Sequence, residues 1–144
     1  MAFREPVDLA ALNASAGDTL IAHLGIVFTA AGPDWLRATM PVDARTRQPY
    51  GLLHGGASVV LAETLGSSAG NLCVEPDQIC VGLEINANHL RAARAGMVAG
   101  TARPLHVGRT IQVWEIRIED AAAKPVCVSR LTLAVIARPQ APTR

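Results

Sequence analysis

The strongest periodic signal in the chain is an alternation of apolar and polar positions that sets in at Ile79 and continues to Ile136. Leu83, Ile85, Ala87 and His89 alternate with Glu84, Asn86 and Asn88, the period of two expected of a strand with one covered face. Met97–Leu105, Thr110–Glu119 and Val126–Ile136 follow at hairpin-like intervals, separated by Gly96, Gly108 and the stretch from Asp120 to Pro125. In the last run Leu131, Leu133 and Val135 share one face, and Arg130 and Thr132 the other. Two earlier strands are predicted over Leu24–Ala31 and Trp35–Val42, joined by a turn at Gly32-Pro33-Asp34. A short helix opens the chain, with Pro6 near its first turn and Leu9 and Leu12 three apart.

Between these two sets of strands the period changes. From about Gly56 to Cys73 the apolar positions Val60, Leu61, Leu65 and Ala69 fall at helical intervals. Small residues dominate the segment (Ala57, Ser58, Ala62, Gly66, Ser67, Ser68, Gly70). Such a helix can approach a neighbour closely, but its glycines lower its intrinsic stability. Tertiary packing must hold it, which places it in the middle of the molecule. Two strands, one long helix and four long strands predict an α+β architecture, an antiparallel sheet wrapped around a central helix.

Composition adds to this picture. A length of 144 residues predicts one domain, with residues 138–144 as a loose tail. Half of the chain (50%) is hydrophobic and 17% is charged. That is more apolar surface than so small a domain covers by itself, and it points to burial against another subunit. The net charge of +1, with both signs interspersed, gives no basic stripe for nucleic acid. No run nears the roughly 18 apolar residues of a membrane span, and the N-terminus lacks the apolar run of a signal peptide. Cys73, Cys80 and Cys127 are odd in number and without CxxC spacing, as expected of reduced core thiols in a cytoplasmic protein. His23, His54, His89 and His106 are scattered, so no metal site is expected.

Chemistry concentrates at the entry to the central helix. Gly55 and Gly56 stand where the first backbone N–H groups of the helix have no intrahelical partner. The helix dipole adds partial positive charge there, a suitable place for a carbonyl oxygen that becomes an oxyanion during acyl transfer. Glycine permits the close approach. His54 and Gln48 can donate further hydrogen bonds or orient a substrate. A bare His-Gly-Gly, however, more often marks a tight loop-to-helix junction. Glu63 is the only acidic residue between Arg45 and Val74, on a helix otherwise without charge. Its neighbour one turn on is Ser67, whose hydroxyl can orient the carboxylate. Burial without a partner raises a carboxylate's pKa and suits a base or nucleophile near neutrality. A solvent-exposed position or a buried ion pair fits the composition equally well.

The spacing of these two features carries information. Gly55 and Glu63 are separated by roughly 12 Å along a helix and about 80° around its axis. One carbonyl group cannot reach both in a single copy. If both act on one carbon, Glu63 comes from a second chain whose helix runs antiparallel, an arrangement that a two-fold dimer supplies twice.

Other constellations are weaker. Ser58 does not lie in a GxSxG elbow. Pro104-Leu105-His106-Val107-Gly108-Arg109 reads as a turn between strands that can meet a phosphate, although a solvated hairpin is the default. Arg91 and Arg94 are surface charges or anion contacts, and His89 closes an apolar alternating face.

The run Gln48-Pro49-Tyr50-Gly51-Leu52-Leu53-His54-Gly55-Gly56 through Glu63 to Gly70 closely resembles the hotdog-fold thioesterases. Within that family it is most similar to the branch of 1,4-dihydroxy-2-naphthoyl-CoA thioesterase and the enterobactin proofreading thioesterase, related to 4-hydroxybenzoyl-CoA thioesterase. The resemblance continues through Val81–His89 and Pro104–Glu115, so it covers nearly the whole chain. It implies a helix wrapped by an antiparallel sheet, dimers joined edge to edge, and a homotetramer formed as a dimer of dimers. It implies hydrolysis of an acyl-CoA, aromatic in its acyl group, with no cofactor beyond the CoA of the substrate. The Gly55 N–H would polarise the thioester carbonyl, assisted by Gln48 and His54. Glu63 of the other chain would act as nucleophile or general base, with Ser67 beside it. Gly56, Thr64 and His89 would face the substrate, and His106, Gly108 and Arg109 would lie near the CoA arm. Where relatives carry a polar residue after His89, this chain has Leu90. Three alternatives stand beside this expectation: a carrier-protein thioester as substrate, a hotdog dehydratase, and a non-catalytic acyl-CoA binding module.

Overall fold

The computed structural model describes residues 3–140. In chain order its elements are α1 (Leu9–Ser15), α2 (Leu20–His23), β1 (Val27–Ala31), β2 (Leu36–Pro41), α3 (Gly55–Asn71), β3 (Gln78–His89), β4 (Met97–Val107), β5 (Ile111–Glu119) and β6 (Pro125–Ala137). The strands form one six-stranded sheet in the order β1-β2-β4-β5-β6-β3, antiparallel throughout. Strands β4 to β6 are a simple meander. The segment from β2 through α3 to β3 crosses the face of that meander, so β3 ends up on the far edge, paired with β6.

The alternation seen in the sequence is the alternation of burial. Leu36, Ala38 and Met40 of β2 are buried, as are Gln112, Trp114, Ile116 and Ile118 of β5 and Cys127, Ser129, Leu131 and Leu133 of β6. These side chains face α3, which buries Ala57, Leu61, Ala62, Leu65 and Ala69 against them. The small residues of the helix have the use expected of them. A Cβ at Gly66 would meet Leu131 Cδ2 at 2.5 Å, and one at Gly70 would meet Leu133 Cδ1 at 2.5 Å. From the sheet side, a Cβ at Gly100 would meet Leu65 Cδ1 at 2.6 Å. Methyl groups of leucine therefore occupy the space that side chains would have taken, and helix and sheet lie closer than two ordinary surfaces could. Buried polar groups at this contact are paired: Trp114 Nε1 donates to Gln112 Oε1 at 2.9 Å, and Gln112 Nε2 donates to the Gly70 carbonyl at 3.4 Å. At the end of α3, Asn71 Oδ1 accepts from the Cys80 N–H at 2.9 Å and fastens the helix to β3.

Pro6 stands just before the first helix, whose N-cap Asp8 accepts from the Ala11 N–H at 3.0 Å. The structure departs from the sequence expectations in four places. The first strand begins at Val27, not Leu24: Thr19 caps the short helix α2, and Gly25, at φ 69°, ends it. Leu83 does not share a face with Ile85, Ala87 and His89. A bulge between Gly82 and Glu84 makes Leu83 the extra residue, 58% exposed, and moves the parity that faces the helix side from Cys80 and Gly82 to Ile85 and Ala87. Strand β4 runs on to Val107, two residues beyond the expected Met97–Leu105, and takes in most of the segment Pro104–Arg109 that reads as a turn. Proline is tolerated there because β2 pairs only as far as Ala102 and a second bulge falls between Pro104 and His106. Finally, Arg138 is tied down, its backbone N–H donating to Asp77 O at 2.7 Å and its Nε to Pro76 O at 3.1 Å. Residues 141–144 of the expected tail lie outside the described residues.

Leu65 is fully buried at the point where α3 meets Gly100. Leu65→Ala is expected to destabilise the fold by roughly 2–5 kcal/mol. The loss should be read as a lower denaturant midpoint at unchanged slope.

Candidate active site

The loop between β2 and α3 is fixed before it delivers its side chains. Thr46, 1% exposed, donates its hydroxyl to the Pro41 carbonyl at 2.6 Å and accepts from the Asp43 N–H at 3.1 Å. Its own carbonyl accepts the His54 N–H at 2.8 Å. Arg45 folds back on Asp43, and its guanidinium holds that carboxyl down to about 2. Residues 48–52 close a small turn through Gln48 N–H to Leu52 O at 2.8 Å, with Gly51 at φ 79°. Leu53 N–H donates to Ala93 O at 2.7 Å, joining the loop to the segment after β3.

Three donors are left free by these bonds. His54 is the N-cap of α3, and its Nδ1 accepts from the Gly56 N–H at 2.8 Å. In the neutral ring the proton therefore sits on Nε2, which becomes the donor. Gln48 Oε1 accepts from the Tyr50 N–H, which fixes the amide orientation and leaves Nε2 as a donor. The Gly55 N–H has no partner among the described residues, as expected of the first N–H of a helix. Gln48, Gly55, Ser58, His89 and Arg91 line one cleft of about 380 Å³, which has Leu52 and Val126 on its apolar side. His54 is exposed beside it. The His89 ring lies directly over Gly55: a Cβ there would stand 2.9 Å from His89 Nε2. Glycine at 55 thus leaves room for this imidazole.

Glu63 lies two turns further along the helix. The buried face of α3 is Ala57, Ser58, Leu61, Ala62, Leu65, Gly66, Ala69 and Gly70. Glu63, Thr64 and Ser67 are half-buried on the opposite stripe. Burial pushes the Glu63 carboxyl above its usual 4.5, and no charge or hydrogen bond offsets it. Ser67 is therefore on the same face without bonding to the carboxylate.

The expected site residues fall into three groups. Gln48, His54, Gly55, Gly56 and His89 gather at the N-terminal end of α3. Glu63, Thr64 and Ser67 lie on the open stripe of its middle. His106 folds over Gly108, and Gly108 and Arg109 border a separate cleft of about 400 Å³ with Cys73 and Gln78 near the C-terminal end of the helix. At 1.5 Å per residue the two helix ends are roughly 25 Å apart, so one chain does not unite the groups. Two contributors escaped the sequence reading. Thr46 gives no signal beyond being a threonine in a polar loop. Ser58 has no nucleophile elbow around it in the sequence, yet it stands one turn from Gly55 inside the cleft.

Residues 50–127, which include all of α3, match the model of the thioesterase superfamily. The chain is 54% identical to the 1,4-dihydroxy-2-naphthoyl-CoA hydrolase of Escherichia coli over 136 residues, 94% of this chain and 100% of that protein. It is also 54% identical over 136 residues to the proofreading thioesterase EntH of Klebsiella pneumoniae, covering 94% of this chain and 99% of that one. A crystal structure of a Haemophilus influenzae thioesterase superposes with a TM-score of 0.94 at 51% identity, over 99% of this chain and 100% of that chain.

The burial of Glu63 has a consequence for stability. Its pKa is raised by desolvation, so the fold is favoured while the group is neutral in both states, below about 4.5. That advantage is lost as pH rises through the folded-state value. Glu63→Gln is therefore expected to melt above the parent chain at neutral pH, with the difference shrinking on acidification. Thermal melts across this range test it, and a pH-independent difference contradicts it.

Proposed function

The chain belongs to the thioesterase superfamily and is a thioester hydrolase with the hotdog fold, and from that premise we propose that it hydrolyses an acyl-CoA with an aromatic acyl group to the free acid and CoA. The observation that carries this reading is the pairing of an unpartnered N–H at Gly55 with an unpaired, desolvated carboxylate at Glu63 on the same helix.

The thioester carbonyl accepts from the Gly55 N–H, with Gln48 Nε2 and His54 Nε2 as further donors. As the carbonyl carbon becomes tetrahedral, its oxygen gains negative charge at the positive end of α3, where the stabilisation is greatest. Glu63 of a second copy of the chain supplies the attack. As nucleophile, its carboxylate oxygen adds to the carbon, the C–S bond breaks, and water then hydrolyses the anhydride. As general base, it takes a proton from water whose oxygen adds directly. Either way CoA leaves as thiolate and is protonated, and Ser67 stands one turn from the carboxylate to hold the water. Thr64 and Gly56 face the acyl group from the same stripe, and His89 closes the pocket.

The second copy is required because Gly55 and Glu63 are roughly 12 Å apart in one chain. The unpaired outer edge of β3, with Val81 and Leu83 exposed, supports an edge-to-edge dimer. Antiparallel helices in that dimer bring the C-terminal end of one toward the N-terminal end of the other, which favours His106, Gly108 and Arg109 reaching the CoA of a neighbouring site. A dimer of dimers completes the assembly. The apolar flank of the cleft and the relatives named for an aromatic CoA ester favour an aryl group. No cofactor enters the scheme beyond the CoA of the substrate. The three free cysteines suit the cytoplasm, and no helix among the described residues is long and apolar enough to cross a membrane.

A free-thiol assay over benzoyl-, hydroxynaphthoyl-, hydroxyphenylacetyl- and straight-chain CoA esters should show the highest kcat/KM on the aromatic esters. Glu63→Ala and Glu63→Gln should each lower kcat by about 10²–10⁴-fold; turnover that survives both changes refutes the assignment. Sharing of the site has its own test. Glu63→Ala and Gln48→Ala chains, unfolded together and reassembled, should regain about a quarter of the wild-type rate, since one site in each mixed dimer is intact.

A further inference from the structure

Gly82 of β3 is a glycine without an ordinary structural reason. Its φ lies outside the left-handed region, so the backbone does not demand it, and it is exposed, so packing of the hydrophobic core does not either. Gly66, Gly70 and Gly100 make room for leucine methyls in the core. At Gly82 the nearest three atoms to an added Cβ all belong to one side chain: Glu63 Oε1, well inside 3.0 Å, then Glu63 Cδ at 3.4 Å and Oε2 at 4.0 Å. We propose that Gly82 is a positioning residue that seats the Glu63 carboxylate at the edge of the sheet. This rests on the reading of Glu63 as the group that attacks or activates water.

The bulge beside Gly82 serves the same arrangement. Cys80 and Gly82 face α3, and unbroken alternation would bring Glu84 to that face next. A second carboxylate would then stand near Glu63 and compete with it for ionisation. Leu83, as the extra residue, turns Glu84 outward, where Asn86 Nδ2 donates to it at 3.4 Å. Desolvation remains the single influence on Glu63, with no charged side chain from α3 or β3 adding to it. The missing Cβ and the bulge thus leave one carboxylate, held by contact with bare backbone, at the edge where a second chain adds.

The test is Gly82→Ala. The methyl group obliges the carboxylate oxygen to move by about 1 Å, a misplacement that costs on the order of 100-fold in kcat. KM is expected to stay within about two-fold, because substrate binding uses the other half-site. The acid limb of kcat/KM should also move to lower pH, since a carboxylate pushed off its seat regains solvent. A merely structural role for Gly82 moves neither the limb nor kcat selectively. If Glu63→Ala is inactive but Gly82→Ala keeps kcat within about three-fold with an unmoved limb, this inference fails and the function stands. If Glu63→Ala is itself active, the reading of Glu63 falls and the inference with it. If Gly82→Ala is not recovered folded, the Glu63→Ala/Gly82→Ala chain decides: folding restored by removal of the carboxylate supports the contact, and failure of both overturns it.

Discussion

Everything in this molecule is arranged around how closely α3 lies on its sheet. Leucine methyls from Leu65, Leu131 and Leu133 fill the places of absent side chains at Gly100, Gly66 and Gly70. A helix with several glycines in its length is a poor helix by itself. Here the same glycines let apolar area be covered at short range, and dispersion and hydrophobic burial offset the backbone cost. The close contact also fixes the rotation of the helix about its axis. With Ala57, Leu61, Leu65 and Ala69 committed to the sheet, Glu63, Thr64 and Ser67 are left on the stripe that the sheet does not cover.

That rotation determines how the site is divided. One helix presents its N-terminus, where Gly55 has a free N–H, and its middle, where Glu63 has no partner. In the proposed reaction these are opposite chemical tools, a place for developing negative charge and a source of electrons. They are kept too far apart to quench each other. An N–H and a carboxylate within reach in one chain would bond to each other and leave neither for a substrate. The half-sites also differ in how they are held. The donors at Gln48 and His54 are fixed because their acceptor atoms are occupied by backbone N–H groups, whereas Glu63 is fixed by shape alone.

Much of this was legible in the chain. Alternation located the sheet, small residues at helical spacing located α3, and helix geometry separated Gly55 from Glu63. The places where the sequence misled share a cause. Leu83 continues an apolar alternation, so nothing local reveals that it is the residue added by a bulge. Pro104 to Arg109 reads as a turn because the sequence does not say that pairing with β2 stops at Ala102 and leaves that side of β4 open. Thr46 and the tautomer of His54 depend on which backbone groups come near, and those are settled by the tertiary fold. Periodicity reports which face is covered; it is blind to single-residue slips and to who bonds to whom.

The pairing of β3 with β6 has a kinetic meaning. The meander β4–β5–β6 closes through short turns, so its contacts are local and cheap to form. Gly82 reaches Leu133 only by closing a loop of about fifty residues, across the whole meander. Local hairpins form before such long-range pairings. The helix can therefore lie on a nearly finished sheet before β3 docks, and the resting place of the Glu63 carboxylate comes into being with that last strand.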